Sequence, residues 1–251
     1  MHRFHLNPAQ CQGTSLLLED REAHHALRVL RVSRGELIAV LDGAGTVCRC
    51  EVQETGKNHV TCNVLERIVT PKPPCQITLL QAIPKGKLIE DIIQQATELG
   101  VARLVPMLTE RTVIHLNAQE AQDKQVKWRH VAVEAIKQCG QPWLPKVELP
   151  QSMPDYLAKQ EPFDLCIAGA LQADTVDFKE CFQRFRTQSG HPPSTVAIWI
   201  GPEGDFSPGE LRSILASGAH PVTFGPLVLR VATAAIYALS VINHEVRSGC
   251  R

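Results

Sequence analysis

Neither sign of charge is in excess in this chain. Its 251 residues carry 26 Lys plus Arg against 26 Asp plus Glu, so no global field draws it toward nucleic acid, and an RNA partner has to be held by a local patch. Long apolar runs are missing as well. No stretch of about 18 apolar residues occurs, and none follows the first charges at the N-terminus, which points to a soluble, cytoplasmic protein with no membrane partner. The nine cysteines lack a pairing pattern: Cys48 and Cys50 are one residue apart, and the others are scattered from Cys11 to Cys250. That spacing fits neither a CxxC zinc ribbon nor a secreted disulfide framework, and free, mostly buried thiols in a reducing compartment are expected. Absent motifs exclude more. No G-x-G-x-x-G opens the first helix after a strand, which disfavours a nicotinamide cofactor. No H-E-x-x-H or paired His beside a carboxylate offers a metal site, and no G-x-S-x-G offers a hydrolase nucleophile.

What is present divides at Thr70-Pro71-Lys72-Pro73-Pro74, a stiff linker whose prolines cannot join a sheet interior. Before it, residues 15–18, 36–41, 46–52 and 59–65 alternate with the two-residue period of half-buried strands, and Asp42-Gly43-Ala44-Gly45 is a hairpin turn. One helix over 22–30 places His24, Arg28 and Arg31 on one face. A small β-barrel with one helix is the economical fold for 1–70. The basic edge of that helix, joined by Arg3 and His25, suits RNA phosphates, but it also reads as a solvated face, since Glu19, Asp20 and Glu22 lie just before it.

After the linker, strands alternate with helices over 75–251, the pattern of an α/β domain with parallel strands and crossover helices. Lys85-Gly86-Lys87 follows a strand and opens a helix. It suits phosphate or is a plain solvated loop, and it is not a GxxxxGK[ST] P-loop. The chemistry concentrates near the end. Thr195–Ile200 is a β-branched run read as a fully buried strand, left through Gly201-Pro202-Glu203-Gly204-Asp205. Ser207-Pro208-Gly209-Glu210 supplies an N-cap, a proline at the first helical position and a capping-box glutamate. A second short strand, 221–224, leads through Gly225-Pro226 into an apolar loop that ends at Arg230 before the closing helix. The two loops bound a crevice able to hold a flat ring among Ile200, Leu227 and Leu229, with main-chain groups for its polar edge.

The words G-P-E-G-x-F-S-x-x-E, followed by F-G-x-x-x-L-R-x-x-T-A, resemble the signature of the RsmE family of 16S rRNA (uracil-N3) methyltransferases in the SPOUT superfamily. R-F near the start, H-H-x-x-x-V-L-R, K-x-K, A-T-E-L-G-V and T-E-R extend the resemblance over nearly the whole chain. It implies an N-terminal PUA-like β-barrel that binds RNA and a C-terminal SPOUT domain with a trefoil knot. It also implies S-adenosylmethionine as cofactor, 16S rRNA or the small ribosomal subunit as partner, and a homodimer. By the resemblance, Leu171, Ile200, Gly201, Gly204, Phe224, Gly225, Leu227, Leu229, Thr233 and Ala234 hold the cofactor, and Arg3, His25, Arg28, Arg31, Lys85, Lys87 and Arg111 hold RNA. Arg230, at the junction of loop and helix, is the expected catalytic residue, stabilising charge on uracil O2 or O4 as N3 loses its proton; pairing with Glu203 or a helix end is its other reading. Nothing in the sequence identifies the general base. Four positions depart from the family: Asp205 where glycine is usual, Val231 and Ala232 where a threonine and a glutamate are usual, and Gln141 where an arginine is usual. The losses keep two alternatives open, a non-catalytic SPOUT-fold rRNA-binding or assembly factor and a SPOUT enzyme with another target nucleotide.

Overall fold

In the computed structural model, residues 1–114, 116–170 and 175–248 are described. They form two units, one of 1–72 with 133–144 and one of 73–132 with 145–251.

The first unit begins with β1 (His2–His5), β2 (Ser15–Leu18) and α1 (Asp20–His24), which runs into a π-helical turn over His25–Leu30. Strands β3 (Leu37–Leu41), β4 (Thr46–Thr55) and β5 (Val60–Val69) complete a curled sheet in the order β1-β3-β4-β5-β2. β1 joins β3 in parallel and the other pairings are antiparallel. Alternation drives the curl: Leu16 and Leu18, Ile38 and Val40, and Cys48, Cys50 and Val52 all point into one core with Phe4 and Ala26. Register shifts at Arg49/Cys50 and Val52/Glu54 bend β4 around that core. The expected hairpin at 42–45 is present, with the Asp42 carboxylate accepting from the N–H groups of Ala44 and Thr46 at 2.7 and 2.8 Å. The expected single helix over 22–30 is instead two joined helical types, and β1 went unforeseen.

The second unit carries β6 (Gln76–Ala82), α2 (Leu88–Glu98), β7 (Arg103–Leu108), α3 (Ala118–Cys139), β8 (Lys146–Val147), β9 (Gln151–Ser152), α4 (Met153–Leu157), β10 (Leu165–Gly169), α5 (Phe178–Ser189), β11 (Thr195–Ile200), α6 (Pro208–Ala216), β12 (His220–Val222) and α7 (Val231–Ser248). The last residues of α3, from Val133, count with the first unit. The sheet order is β12-β10-β11-β6-β7-β8, with β9 also on β7, and every described pairing is parallel. Leu80, Val105, Ala168 and Trp199 face Met153 and Tyr156 of α4 and Leu211 and Ile214 of α6. The alternate residues, including Leu79, Ile167 and Ile198, are equally buried on the opposite face. α7 packs against β11, α2 and α5. Helices on both faces explain why the strands read as unbroken apolar runs. No disulfide joins the eight described cysteines, and six of them are buried. No described helix is long and apolar enough to cross a membrane.

Candidate functional site

Because the strands run parallel, the exits of β12, β10 and β11 lie together at one edge of the second unit, the position where open α/β sheets bind ligands. A cavity of about 450 Å³ opens there. Ile200 and Gly201 come from the end of β11, Gly169 and Ala170 from the end of β10, and Phe224 from just past β12. The segment from Leu227 to Val231, with Ala234, forms the far wall, and Pro202, Glu203, Asp205 and Leu88 complete the lining.

Each wall has a local cause. A Cβ on Gly169 would lie 2.6 Å from Cζ of Phe224, so only glycine lets that ring stand against the strand end. Phe224 is stacked on Phe178, centroids 5.4 Å apart, with Tyr237 at 5.8 Å. The loop after β11 is tied on three sides. Glu203 Oε1 accepts the main-chain N–H of Lys85 at 2.9 Å, and Arg111 donates to the Gly204 carbonyl. Asp205 closes a turn by donating its N–H to the Pro202 carbonyl at 2.9 Å. The capping box forms as expected: Ser207 Oγ accepts from Glu210 N–H at 3.2 Å, and Glu210 Oε2 accepts from Ser207 N–H at 2.8 Å. The other oxygen of the buried Glu210 carboxylate accepts from Glu110 N–H at 2.8 Å, fixing the 109–112 loop beside it. Asp205 stands at φ 62, the left-handed region. That conformation gives a physical reason for glycine there in the family pattern. Aspartate is among the few other residues that tolerate it, and its own Oδ1 accepts from Phe206 N–H at 2.8 Å.

The opposite loop is held much less. Leu227 and Val228 are 72% and 79% exposed, and the main-chain groups of Leu227, Val228 and Leu229 form no hydrogen bond with another described residue. Apolar side chains beside unused backbone donors and acceptors suit a flat heteroaromatic ring with a polar edge. The Arg230 carbonyl accepts from Ala234 N–H at 2.8 Å at the start of α7. Its side chain lines the cavity and has no ion-pair or hydrogen-bond partner among the described residues; Glu203 is engaged by Lys85 instead.

Of the residues expected at the cofactor site, Ile200, Gly201, Phe224, Leu227, Leu229 and Ala234 line the cavity together with Arg230. Gly204, Gly225 and Thr233 belong to the same loops and helix start without lining it, and Leu171 lies outside the described residues. Leu88 and Val231 were missed. Nothing in their local spacing marks them, because only the meeting of three chain segments brings them here. Lys85, Lys87 and Arg111 are exposed, on loops adjoining the one after β11. In the first unit, Arg28 and Arg31 are exposed. Arg3 donates to the carbonyls of Lys137 and Gln138 at 3.2 and 2.9 Å, and His25 Nδ1 lies 3.4 Å from Lys137 Nζ. No group of His, Cys, Asp and Glu fit to hold a metal occurs among the described residues.

Comparison with known proteins decides the family. Residues 71–243 match the RNA methyltransferase domain, and 18–65 the RNA methyltransferase PUA domain. The chain is 32% identical to ribosomal RNA small subunit methyltransferase E of Synechocystis, over 98% of this chain and 78% of that one. The chain belongs to the RsmE family of RNA methyltransferases. A Bacillus subtilis RsmE is 29% identical over 93% of this chain and 91% of its own length. Among solved structures, a Legionella pneumophila methyltransferase in complex with the cofactor S-adenosylmethionine is 30% identical with a TM-score of 0.85, covering 96% of both chains. An RsmE of Neisseria gonorrhoeae bound to S-adenosylmethionine is 25% identical with a TM-score of 0.85, covering 97% of both.

Proposed function

We propose that this RsmE-family chain transfers the methyl group of S-adenosylmethionine to N3 of a uracil in 16S rRNA. The observation that carries the reading is the cavity at the strand exits, with an unengaged guanidinium in its lining. Its residues fit the cofactor: Ile200, Leu227 and Leu229 line the cavity and would flank an adenine, and the main-chain groups of Leu227 to Leu229, unbonded among the described residues, would satisfy its edge. When bound there, the cofactor supplies an activated methyl group. The chain's own work is positioning and charge. The loops after β11 and β12 orient the reactants, which supplies much of what such a transfer needs. Arg230 stabilises the negative charge that spreads onto O2 or O4 as the N3 proton leaves. The two carboxylates in the lining, Glu203 and Asp205, already accept from the Lys85 and Phe206 N–H groups, and water is assigned the part of general base.

The proposal extends to the whole chain. Residues 1–70 act as the PUA-like RNA-binding domain and 75–251 as the SPOUT domain, in which the loops that leave β10, β11 and β12 belong to a trefoil knot that would hold the cofactor. Arg3, His25, Arg28 and Arg31, with Lys85, Lys87 and Arg111, bind the rRNA or small ribosomal subunit in the cytoplasm. A homodimer is part of the reading, supported by the exposed Leu227, Val228 and Tyr237 at 72%, 79% and 42%. A second reading, an rRNA-binding factor without catalysis, draws on the absence, among the described residues, of a partner to orient Arg230 where the family has a glutamate and this chain has Ala232. Calorimetry with S-adenosylmethionine, combined with methyl transfer to 16S rRNA from a strain lacking the protein, separates the two. Binding with transfer supports the enzyme; absence of transfer, with or without cofactor binding, removes the enzyme and leaves the factor.

A further inference from the structure

Within the first unit the cations divide into those already engaged and those left free. Arg3 caps the carbonyls that end α3, Arg21 and Lys137 pair with Glu134, Lys137 also with Glu22, and Arg49 pairs with Glu66. Arg67 donates to the carbonyls of Cys11 and Gly13, and Lys72 lies over the Trp143 ring. Arg28, Arg31, Arg34 and Lys57 have no hydrogen-bond or ion-pair partner among the described residues. Arg28 and Lys57 converge. They line one concavity of about 270 Å³ with His24, Leu27, Asn58 and Asp20, although the helix and the β4–β5 turn that supply them are far apart in sequence.

The backbone around this concavity is unusual in a second, independent way. The helix is framed by two non-glycine residues in left-handed conformation, Asp20 at φ 47 and Arg31 at φ 55, and its second half is a π-helical turn. Left-handed backbone is strained for a non-glycine residue, and both such strain and π-turns concentrate at binding sites. Here the distortion puts His24, Leu27 and Arg28 around one hollow opposite Lys57 and Asn58.

We infer that the hollow between the α1–π helix and the β4–β5 turn binds one nucleotide of the RNA strand, its phosphate on Arg28 and Lys57 and its ribose 2′-hydroxyl on the Asp20 carboxylate. This rests on the proposed RNA substrate and adds His24, Lys57, Asn58 and Asp20 to its contacts. Two cations with no intramolecular partner give a phosphate contacts that need not first be broken. A carboxylate among them would repel a bare phosphate but accepts from a 2′-hydroxyl, the group that distinguishes RNA from DNA. His24 and Leu27 offer a surface for the base. The nearby cavity lined by Arg21, His24, His25, Val29, Glu134 and Lys137 makes the contrast, since its Arg21 and Lys137 are already paired.

The test uses the full chain and fluorescence anisotropy with a labelled 16S rRNA hairpin, at several salt concentrations, with methyl transfer measured in parallel. Arg28→Gln/Lys57→Gln should weaken binding by about fivefold or more and make the slope of log affinity against log salt shallower by about 2, one for each lost phosphate contact. Arg49→Gln/Lys146→Gln removes the same formal charge from paired, exposed positions and should leave both nearly unchanged. Asp20→Asn, which keeps the left-handed backbone accessible, should narrow the preference for this hairpin over its all-deoxy counterpart. An Arg28→Gln/Lys57→Gln variant with wild-type affinity and slope, or one no different from the charge-matched control, overturns the site even if the enzyme methylates rRNA. A wild type that binds through these residues yet transfers no methyl keeps the site and overturns the proposed activity.

Discussion

Gly169→Ala should close the cofactor cavity without touching a charged group. The new Cβ would meet Phe224 Cζ at 2.6 Å and Cε2 at 2.9 Å, against the roughly 3.5–4.0 Å of ordinary carbon contact. The ring therefore has to move by about 1 Å. Its retreat is limited by the stack on Phe178 at 5.4 Å and by Tyr237 at 5.8 Å, and the open direction is the cavity that Phe224 already lines. Overpacking of this kind costs about 1–3 kcal/mol. If that cost falls on the bound state, it lowers S-adenosylmethionine affinity by about five- to 150-fold, at 1.4 kcal/mol per tenfold. Calorimetry reads the affinity and a thermal melt reads any general loss of stability. Adding Phe224→Leu to Gly169→Ala removes the clashing ring and should recover part of the affinity, a coupling that a double-mutant cycle isolates. Gly169→Ala binding the cofactor as tightly as the wild type would refute the reasoning, because the wall would not then be where the structure puts it.

Arg230→Ala should reduce the methyl-transfer rate by about 10²–10³ while leaving cofactor affinity within a few fold, measured by single-turnover transfer and calorimetry, since its guanidinium acts on charge that develops only during the reaction. Glu210→Ala strips the acceptor from the N–H groups of Ser207 and Glu110 and should cost about 2–4 kcal/mol, read by denaturant unfolding with unchanged m-value. Asp164 carries the pH prediction. The Ser194 hydroxyl first, and the Ser194 and Thr195 N–H groups with it, hold its carboxyl below the usual carboxylate range despite a small opposing push from burial. A folded-state pKa below the unfolded one gives stability that is full above the unfolded value and lost as pH falls through the folded one. Asp164→Asn should therefore be less stable than wild type near pH 7, with the difference shrinking as pH falls below the unfolded aspartate value of about 3.9 in melts taken across the acid range.

Local chemistry made some of this legible and tertiary adjacency hid the rest. Thr195–Ile200 announced a buried parallel strand through its β-branched run, and Ser207-Pro208-Gly209-Glu210 announced a capped helix, because both signals lie within a few residues. The crevice between the two C-terminal loops followed from their glycine exits and from the family words they carry. β1 escaped notice because four residues are too few for a period, and its partner β3 lies more than thirty residues away. The bonds from Arg3 to the carbonyls of Lys137 and Gln138 were hidden in the same way, across more than 130 residues. The second oxygen of Glu210 meets Glu110 N–H a hundred residues back, and no local pattern could announce that bond. α3 has one continuous helical pattern, with no mark in the sequence where its residues change from one unit to the other at Val133. The π-turn at His25–Leu30 is a departure from regular helix that hydrophobic spacing does not encode.

The central claim is tested most directly by mass spectrometry of 16S rRNA nucleosides from a strain lacking this protein, beside the same strain complemented with the wild-type chain and with Arg230→Ala. The account predicts that one N3-methyluridine disappears on deletion, returns with the wild type and stays absent with Arg230→Ala. An unchanged N3-methyluridine content in the deletion strain would contradict it.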